Sequence, residues 1–235
     1  METSLHRQLK EVYAGGDGEV EAKLGRYRID VIRPQAAGND LLIEVQHGGL
    51  AAIRDKVRAL LKRHPVLVVK PIVARKRLVR RERPGGPVVS SRLSPKRGVP
   101  LDLFHELIHF TRAFPHPRLA IETPLVEVEE HRVPGHGRRR RWRKNDFVVE
   151  DQVLTRVQQT HRYETLGDLL TLLPPRLPTP FDTGQLAKRL EVDRWVAQRI
   201  AYCLRQTGAA APVGKRGNAV LYGLKAKRPR RRRAG

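Results

Sequence analysis

Two short stretches decide how the amino-terminal part of this chain folds: YRIDV at residues 27–31 and LIEVQ at residues 42–46. In each stretch, apolar and polar side chains alternate, which is the period of a β-strand. Asp30 therefore points away from the apolar face of its strand, and Glu44 and Gln46 point away from the apolar face of theirs. Each strand would then present a carboxylate on its polar face.

The residues around these stretches predict a layered α/β core. Apolar side chains at helical spacing predict helices over residues 3–14 and 50–63. Alternation and turn residues predict strands over residues 19–22, 27–32, 41–46 and 66–69, with a further candidate strand over 76–81. The order α, β, β, β, α, β is typical of an α/β structure.

The polar groups of this core suit metal-assisted hydrolysis. Carboxylates on two neighbouring strands can chelate a hard divalent cation through oxygen. Such an ion polarises a phosphodiester and lowers the pKa of an attacking water, which Gln46 is placed to orient. On the first helix, Glu2, His6 and Lys10 follow one another at intervals of four and form one polar stripe opposite the leucines.

The two stretches and the elements around them resemble the PD-(D/E)XK nuclease superfamily, which has a restriction-endonuclease-like fold. The family's pattern is a helix with an acid, a hairpin with Asp, a strand with Glu-x-Lys, then a helix and a strand. All these elements are expected here in that order over residues 1–75. The resemblance implies an endonuclease that hydrolyses phosphodiester bonds of DNA and requires Mg²⁺ or Mn²⁺.

The resemblance also implies which residues form the site. Asp30 and Glu44 match the two metal-binding acids, and the main-chain carbonyl of Val45 would help to hold the ion. Glu2 matches the acid of the first helix better than Glu11 does, because Glu11 lies off the polar stripe.

The chain departs from the family at Gln46, where most members have Lys, although some branches carry Glu-x-Gln. The change removes a positive charge that would stabilise the attacking hydroxide or the developing charge on phosphorus. Lys10 or Lys56 could supply that charge from a helix. Whether cleavage is retained is therefore left open by the sequence.

Charge points to a polyanionic partner. The chain has 47 Lys and Arg against 24 Asp and Glu, a net charge of +23, and the excess is concentrated after residue 70. Neutralising phosphates with such charge releases condensed counterions, so DNA, or alternatively RNA, is the expected partner. No apolar run is long enough to cross a bilayer, so no membrane role is expected.

Residues 165–224 resemble a winged helix-turn-helix. Three helices are predicted, over 165–173, over 184–190 and after Asp193, and a two-stranded wing follows, with strands at 211–213 and 219–222. In that family the third helix enters the major groove and the wing contacts phosphate. The resemblance implies these DNA-binding residues: Arg194, Gln198, Arg199, Arg205, Lys215 and Arg216. The alternative is that this domain docks a protein.

The segment between these domains, residues 84–164, is predicted to hold a linker over 83–100, a helix over 101–112 and paired strands over 125–132 and 141–150. Six basic residues and Trp142 make up residues 138–144, so Arg140 and Trp142 are candidates for backbone contact and base stacking. The same run also fits a solvated hairpin tip. Residues 225–235 are expected to form a disordered basic tail.

A competing motif occurs within the predicted helix over 101–112. His105, Glu106 and His109 match the H-E-x-x-H pattern, in which two histidines on one helix face bind zinc and the glutamate acts as a general base. The metzincin extension is absent, since Arg112 and Pro115 stand in its positions; Glu129 or Glu130 is the remaining candidate for a third ligand.

The sequence thus predicts an intracellular, cytoplasmic protein, nucleoid-associated if it binds DNA, because Cys203 is its single cysteine and no disulfide can form within the chain. Residues 1–83 are predicted to form the nuclease-like domain. Three functions follow: a metal-dependent nuclease, a catalytically inactive DNA-binding regulator, and a zinc peptidase.

Overall fold

The computed structural model describes residues 2–36, 38–135 and 146–225. It is a mixed α/β structure, in agreement with the predicted class. In the described part, eight strands form one mixed sheet in the order β1-β2-β3-β4-β7-β5-β6, with β8 paired to β7, and two further strands form a hairpin. Within the described ranges, no helix is long and apolar enough to serve as a membrane span.

The helices are α1 (Ser4–Ala14), α2 (Arg54–Leu60), α3 (Leu103–Leu107), α4 (Leu166–Leu170), α5 (Thr183–Leu190) and α6 (Arg194–Thr207). The strands of the sheet are β1 (Glu19–Leu24), β2 (Tyr27–Arg33), β3 (Leu41–Val45), β4 (Val66–Val69), β5 (Ile72–Arg81), β6 (Val88–Leu93), β7 (Leu119–Pro134) and β8 (Phe147–Tyr163). The hairpin strands are β9 (Ala210–Arg216) and β10 (Ala219–Leu224). Single 3₁₀ turns precede α2 at Leu50–Ile53 and α3 at Pro100–Asp102.

The chain divides into two compact units. The first gathers residues 1–47, 69–100 and 123–161, and the second gathers residues 48–68, 101–122 and 162–235. These units cut across the predicted segments: residues 48–68 leave the amino-terminal core, and the carboxy-terminal helices share a unit with residues 101–122.

In the first unit, α1 lies against the β1–β2–β3 meander. The Thr3 side chain caps α1 by accepting a hydrogen bond from the amide of His6, and Gly15 ends the helix at a positive φ of 62°. Leu5 and Leu9 are fully buried, which confirms the predicted apolar stripe. The predicted order of elements over residues 1–75 is present.

The β1–β2 hairpin contains one irregularity. Glu21 has a positive φ of 59°, although the antiparallel register is unbroken around it, from Val20 opposite Val31 to Ala22 opposite Ile29. Glycine usually supplies such a conformation. The left-handed backbone at a glutamate is therefore a specific feature of this strand.

The linker predicted over residues 83–100 is wrong over Val88–Leu93, which forms β6 antiparallel to β5. All six residues of β6 are exposed, so the segment lacks the alternation of a half-buried strand. The strand predicted over residues 141–150 begins, within the described part, at Phe147 and continues as β8 to Tyr163. Its later half is polar because it is exposed.

Three predicted helices are shorter than expected, and the one predicted over residues 165–173 is α4 (Leu166–Leu170). The helix predicted over residues 50–63 is a 3₁₀ turn followed by α2, and the one predicted over residues 101–112 contains only the α3 helix after a 3₁₀ turn. In each case the apolar spacing extends into turns beyond the last helical residue.

In the second unit, α5, α6 and the β9–β10 hairpin follow one another as predicted. Asp182 caps α5 in a capping box with Gln185, and α6 ends at Gly208 with a φ of 85°. The core of α6 includes Ile200, Leu204 and Cys203. The Cys203 thiol donates to the carbonyl of Phe104 at 3.7 Å, and burial raises its pKa to about 12.

The residue that ends α5, Glu191, allows a test of the backbone conformation at this position. Glu191 adopts a left-handed conformation with a φ of 54°. We expect Glu191→Gly to stabilise the protein by about 0.5–1 kcal/mol, because glycine adopts this conformation without a clash at Cβ. The matched control is Lys188→Gly, inside α5, which should cost about 1 kcal/mol. Denaturant midpoints measure both changes, and a destabilised Glu191→Gly variant would contradict the expectation.

Candidate active site

His6 of α1 lies at the centre of the predicted polar site. Its Nε2 atom is 2.7 Å from the carbonyl oxygen of Val45 and 3.6 Å from Oδ2 of Asp30. Its Nδ1 atom is 2.8 Å from Oε1 of Glu2. The imidazole therefore joins the helix to the end of β3 and to the carboxylate on β2.

The Asp30 carboxylate is held by the main chain as well. The amide of Val45 donates to Oδ2 of Asp30 at 2.8 Å, so the carboxylate and Val45 are joined directly. The same Oδ2 atom and the Val45 carbonyl oxygen both lie close to Nε2 of His6. An acidic oxygen and a main-chain carbonyl thus face one point, which a hydrogen-bond donor occupies.

Glu44 and Asp30 differ in exposure. All five residues of β3 are buried, and Glu44 is 3% exposed, whereas the Asp30 side chain is 23% exposed. Both faces of β3 are therefore covered, so the face that carries Glu44 is not open to solvent. Glu44 is a buried carboxylate, while Asp30 remains open to solvent.

Gln46 follows directly after the end of β3. Its main-chain amide donates to the carbonyl of Val69 at 2.8 Å, and the residue is partly exposed. The main chain at Gln46 is therefore fixed at the edge of the site. Its role in orienting water stays a prediction.

Lys10 and Glu2 belong to an ion-pair cluster beside His6. The Lys10 ammonium is 2.5 Å from Oε1 of Glu2 and 2.5 Å from Oε1 of Glu21, while its side chain is 3% exposed. Burial lowers the pKa of Lys10, but the two carboxylates together raise it above its ordinary value. Arg28 also contacts Glu21. Glu21 is thus a partner of Lys10 that the sequence did not reveal.

His6 has a perturbed pKa. Its attraction to Asp30 is the largest cause and raises the pKa, the Val45 carbonyl raises it further, and burial and Lys10 act in the opposite direction. The net result is a pKa above 6.5, which favours the protonated imidazolium.

Two residues near the site were missed by sequence reasoning. The Lys70 ammonium donates to the carbonyl of His47 at 2.8 Å, and Lys70 is 7% exposed. Burial lowers the pKa of His47, and Lys70 and His6 lower it further through repulsion. A lysine directly after the apolar run VLVV was the available signal, since a lysine is buried only where polar groups receive it.

On α6, three of the predicted DNA-binding residues are exposed together: Arg194, Gln198 and Arg205. Arg199 is engaged differently, because its Nη1 atom is 2.6 Å from Nδ1 of His105 and its guanidinium lies 5.2 Å from the ring centre of Trp195. Trp195 is 52% exposed and was missed by the sequence analysis.

The hairpin after α6 carries the two remaining basic candidates. Lys215 and Arg216 are exposed near the turn of β9 and β10. The Arg216 guanidinium contacts Oδ2 of Asp182, the residue that caps α5. Arg140, Trp142 and the tail beyond residue 225 lie outside the described residues.

The zinc-protease interpretation fails on geometry. It requires His105 and His109 one turn apart on a helix, but α3 ends at Leu107. His105 contacts Arg199 and Trp195, and Glu106 accepts a hydrogen bond from the amide of Leu50 at 3.0 Å. Across residues 2–36, 38–135 and 146–225, no group of three or more His, Cys, Asp or Glu is arranged to hold a metal ion.

Comparison with known proteins gives two similarities. A family described as "Domain of unknown function (DUF8091)" matches residues 3–164. A protein of Treponema pallidum (strain Nichols), described as "Uncharacterized protein", is 31% identical over 222 residues, which is 94% of this chain and 84% of that protein. No solved structure matches the chain.

The contact between His6 and Asp30 predicts a measurable titration. Asp30→Asn should lower the pKa of His6 towards 6.5, because the main cause of its elevation is removed. The contact stabilises the fold fully below the unfolded pKa of about 6.5, and this contribution is lost as the pH rises through the higher folded value.

NMR titration of the His6 ring protons in the presence of a chelator measures this effect. Asp17→Asn, in the exposed turn after α1, is the matched control and should leave the His6 pKa unchanged. An unchanged His6 titration in Asp30→Asn would show that the carboxylate does not act on the imidazole.

Proposed function

The chain belongs to the DUF8091 family, and on that premise we propose that it binds nucleic acid and hydrolyses phosphodiester bonds with a divalent metal ion. The observation that carries this proposal is the shared point faced by Asp30 and the Val45 carbonyl. Acidic and carbonyl oxygens around a single cationic donor are the chemistry that a hard metal ion also requires.

The protein oxygens fit Mg²⁺ or Mn²⁺ only if other ligands complete the coordination shell. Asp30, Glu44 and the Val45 carbonyl would hold the ion, and water and substrate phosphate would complete its shell, as is common for Mg²⁺. When bound, the ion supplies charge stabilisation and a more acidic water. Gln46 would position that water. Glu2 would act indirectly, by accepting from His6 and pairing with Lys10.

The protonation state of His6 should affect metal binding at this site. Its Nε2 atom lies near two oxygens that a metal ion would share, so imidazolium and metal compete for them. Because its pKa is raised, low pH favours the imidazolium and higher pH frees the oxygens. Metal affinity should therefore increase as the pH passes above the His6 pKa.

The finer fold assignments are part of the proposal. The order α1, β1, β2, β3, α2, β4 supports a restriction-endonuclease-like core, and α4, α5, α6 with the β9–β10 hairpin supports a winged helix. The basic excess supports DNA as the partner, with RNA as an alternative, and a cytoplasmic, nucleoid-associated location would follow.

The cleavage test uses isosteric changes, because Glu44 is buried and truncation would leave a cavity. Asp30→Asn and Glu44→Gln should each lower the rate of DNA cleavage in Mg²⁺ or Mn²⁺ by about 100-fold or more, since each removes charge that holds the ion. Plasmid, linear and branched DNA are the substrates. Asp17→Asn should cleave like the wild type, and cleavage that persists in both site variants would refute this site.

A second function is favoured by two specific observations. Gln46 lacks the charge of the usual Lys, and the Lys10 ammonium is already shared by Glu2 and Glu21. A catalytically inactive DNA-binding regulator would have both features. Salt-dependent DNA binding without cleavage in any divalent metal would establish this function in place of the nuclease.

The α6 helix provides a test of binding that does not depend on cleavage. The double change Arg194→Gln and Arg205→Gln should weaken binding to duplex DNA by about 10-fold or more, because exposed arginines on such a helix contact bases or phosphates. The double change Lys62→Gln and Arg63→Gln removes the same charge from exposed residues outside this helix and serves as the control. Fluorescence anisotropy at fixed salt compares them, and equal losses would contradict a specific role for α6.

A further inference from the structure

A cavity of about 390 Å³ lies on the first unit, and its lining includes none of the residues proposed to hold the metal ion. Three arginines line it, one from each of three neighbouring strands: Arg80 of β5, Arg92 of β6 and Arg132 of β7. Ser90, Phe147 and Asp146 also line it. We call this cavity with its three arginines the arginine cleft.

The strand register explains why the arginines meet. Arg80 is opposite Ser90 on antiparallel β6 and opposite Arg132 on parallel β7, while Leu78 is opposite Arg92. Residues opposite one another share a face of the sheet, and residues two apart on a strand share it as well. All three guanidiniums therefore start from the same face.

The charge of the cleft is not neutralised from within. Arg132 donates to Oε1 of Glu130 at 2.7 and 2.5 Å, but that buried carboxylate is shared with Lys76 at 2.5 Å and with Gln152 at 2.8 Å. In the part of the chain that the structure describes, Arg80 and Arg92 form no ion pair. Glu130 pairs with Arg132, and Asp146 is the acidic residue in the lining, so Arg80 and Arg92 face a single lining carboxylate.

The lining combines two kinds of contact. Guanidinium groups bind phosphate through paired N–H donors. Beside them, the Phe147 ring is 36% exposed and lies 3.8 Å from the guanidinium of Arg132. An aromatic ring next to arginines is a stacking surface for a base. The lining thus matches the alternation of phosphate and base in a nucleic-acid strand.

The cleft also lies on a basic line along β5. Lys76 and Arg80 are four residues apart, so they share a face and are separated by about 13 Å. Lys76 and Glu130 both act electrostatically on His47, which follows Gln46 in the chain. A strand bound at the arginine cleft can therefore extend along β5 towards the end of β3.

We propose that Arg80, Arg92 and Arg132 bind the phosphates of a nucleic-acid strand, with Phe147 against a base. The inference rests on the proposed function for the class of ligand, but it assigns a separate site with residues that catalysis does not use. The cleft would hold a strand whether or not the protein cuts it.

The test compares two charge-matched double variants. Arg80→Gln with Arg92→Gln removes both cleft arginines that lack an acidic partner. Arg75→Gln with Lys23→Gln removes two exposed charges, one of them on β5 at an odd spacing from Arg80 and hence on its opposite face. All four side chains are exposed, so both variants should unfold at the wild-type denaturant midpoint.

Binding of a fluorescein-labelled single-stranded oligonucleotide is measured in a chelator, so that cleavage plays no part, between about 50 and about 200 mM salt. We expect the slope of log affinity against log salt to become shallower by about 1.4 in the cleft variant, since each lost phosphate contact on a single strand removes about 0.7. Affinity at the low-salt end should fall by about 10-fold or more. The control variant should stay close to the wild type.

Equal slopes for the two variants would overturn the proposed role of the arginine cleft. The proposed function would be unaffected if the wild type still binds nucleic acid and cleaves it with a metal ion. Binding that depends on the cleft, without cleavage in any metal, supports the cleft and rejects the nuclease. A wild-type protein that does not bind the oligonucleotide overturns both.

Discussion

The hydrogen bond between His6 and the carbonyl of Val45 ties the first helix to the end of a buried strand. The helix carries Glu2 and Lys10 with it, and the strand carries Glu44 and the start of the Gln46 turn. Asp30 joins the same contact through the amide of Val45. One imidazole thus joins Glu2, Asp30 and the end of β3.

A second set of contacts supports this arrangement. Lys10 is buried between Glu2 and Glu21, so the helix is also fixed to β1. Removing an ammonium from water is unfavourable unless carboxylates receive it. Glu21 therefore has a structural role, because it is one of the two carboxylates that receive the buried ammonium. The Lys10 charge is then committed to holding the helix, which bears on how the missing charge at Gln46 is supplied.

The local sequence pattern was sufficient to predict much of the order of helices and strands. The order of elements from α1 to β4 could be predicted because each apolar stripe has its own period and each turn its own glycines. The α6 helix and its Gly208 end were predicted for the same reason. Exposed strands give no such signal, so the sequence predicts a linker where β6 forms. The burial of Glu44 depends on what packs on its face of β3, and alternation within five residues does not contain that information.

At the candidate site, too, the sequence predicted some residues but not the contacts that depend on main-chain geometry. Asp30, Glu44 and His6 were selected from spacing, and the structure brings Asp30 and His6 together. The bond to Val45 and the Glu21 partner depend on main-chain geometry that spacing does not encode. The arginine cleft is the clearest example: Arg80 and Arg92 are near in sequence, but Arg132 joins them only through the parallel pairing of β5 and β7. The sequence analysis identified a basic excess in this region but did not identify a site.

The buried thiol of Cys203 has a practical consequence for work on this protein. With its single cysteine held protonated by a pKa near 12 and covered by packing, the native chain offers almost no thiolate to an alkylating reagent. A cysteine introduced at any exposed position would then be the dominant reactive group. Dyes, spin labels or cross-linkers can be attached at one chosen place while Cys203 is left unchanged.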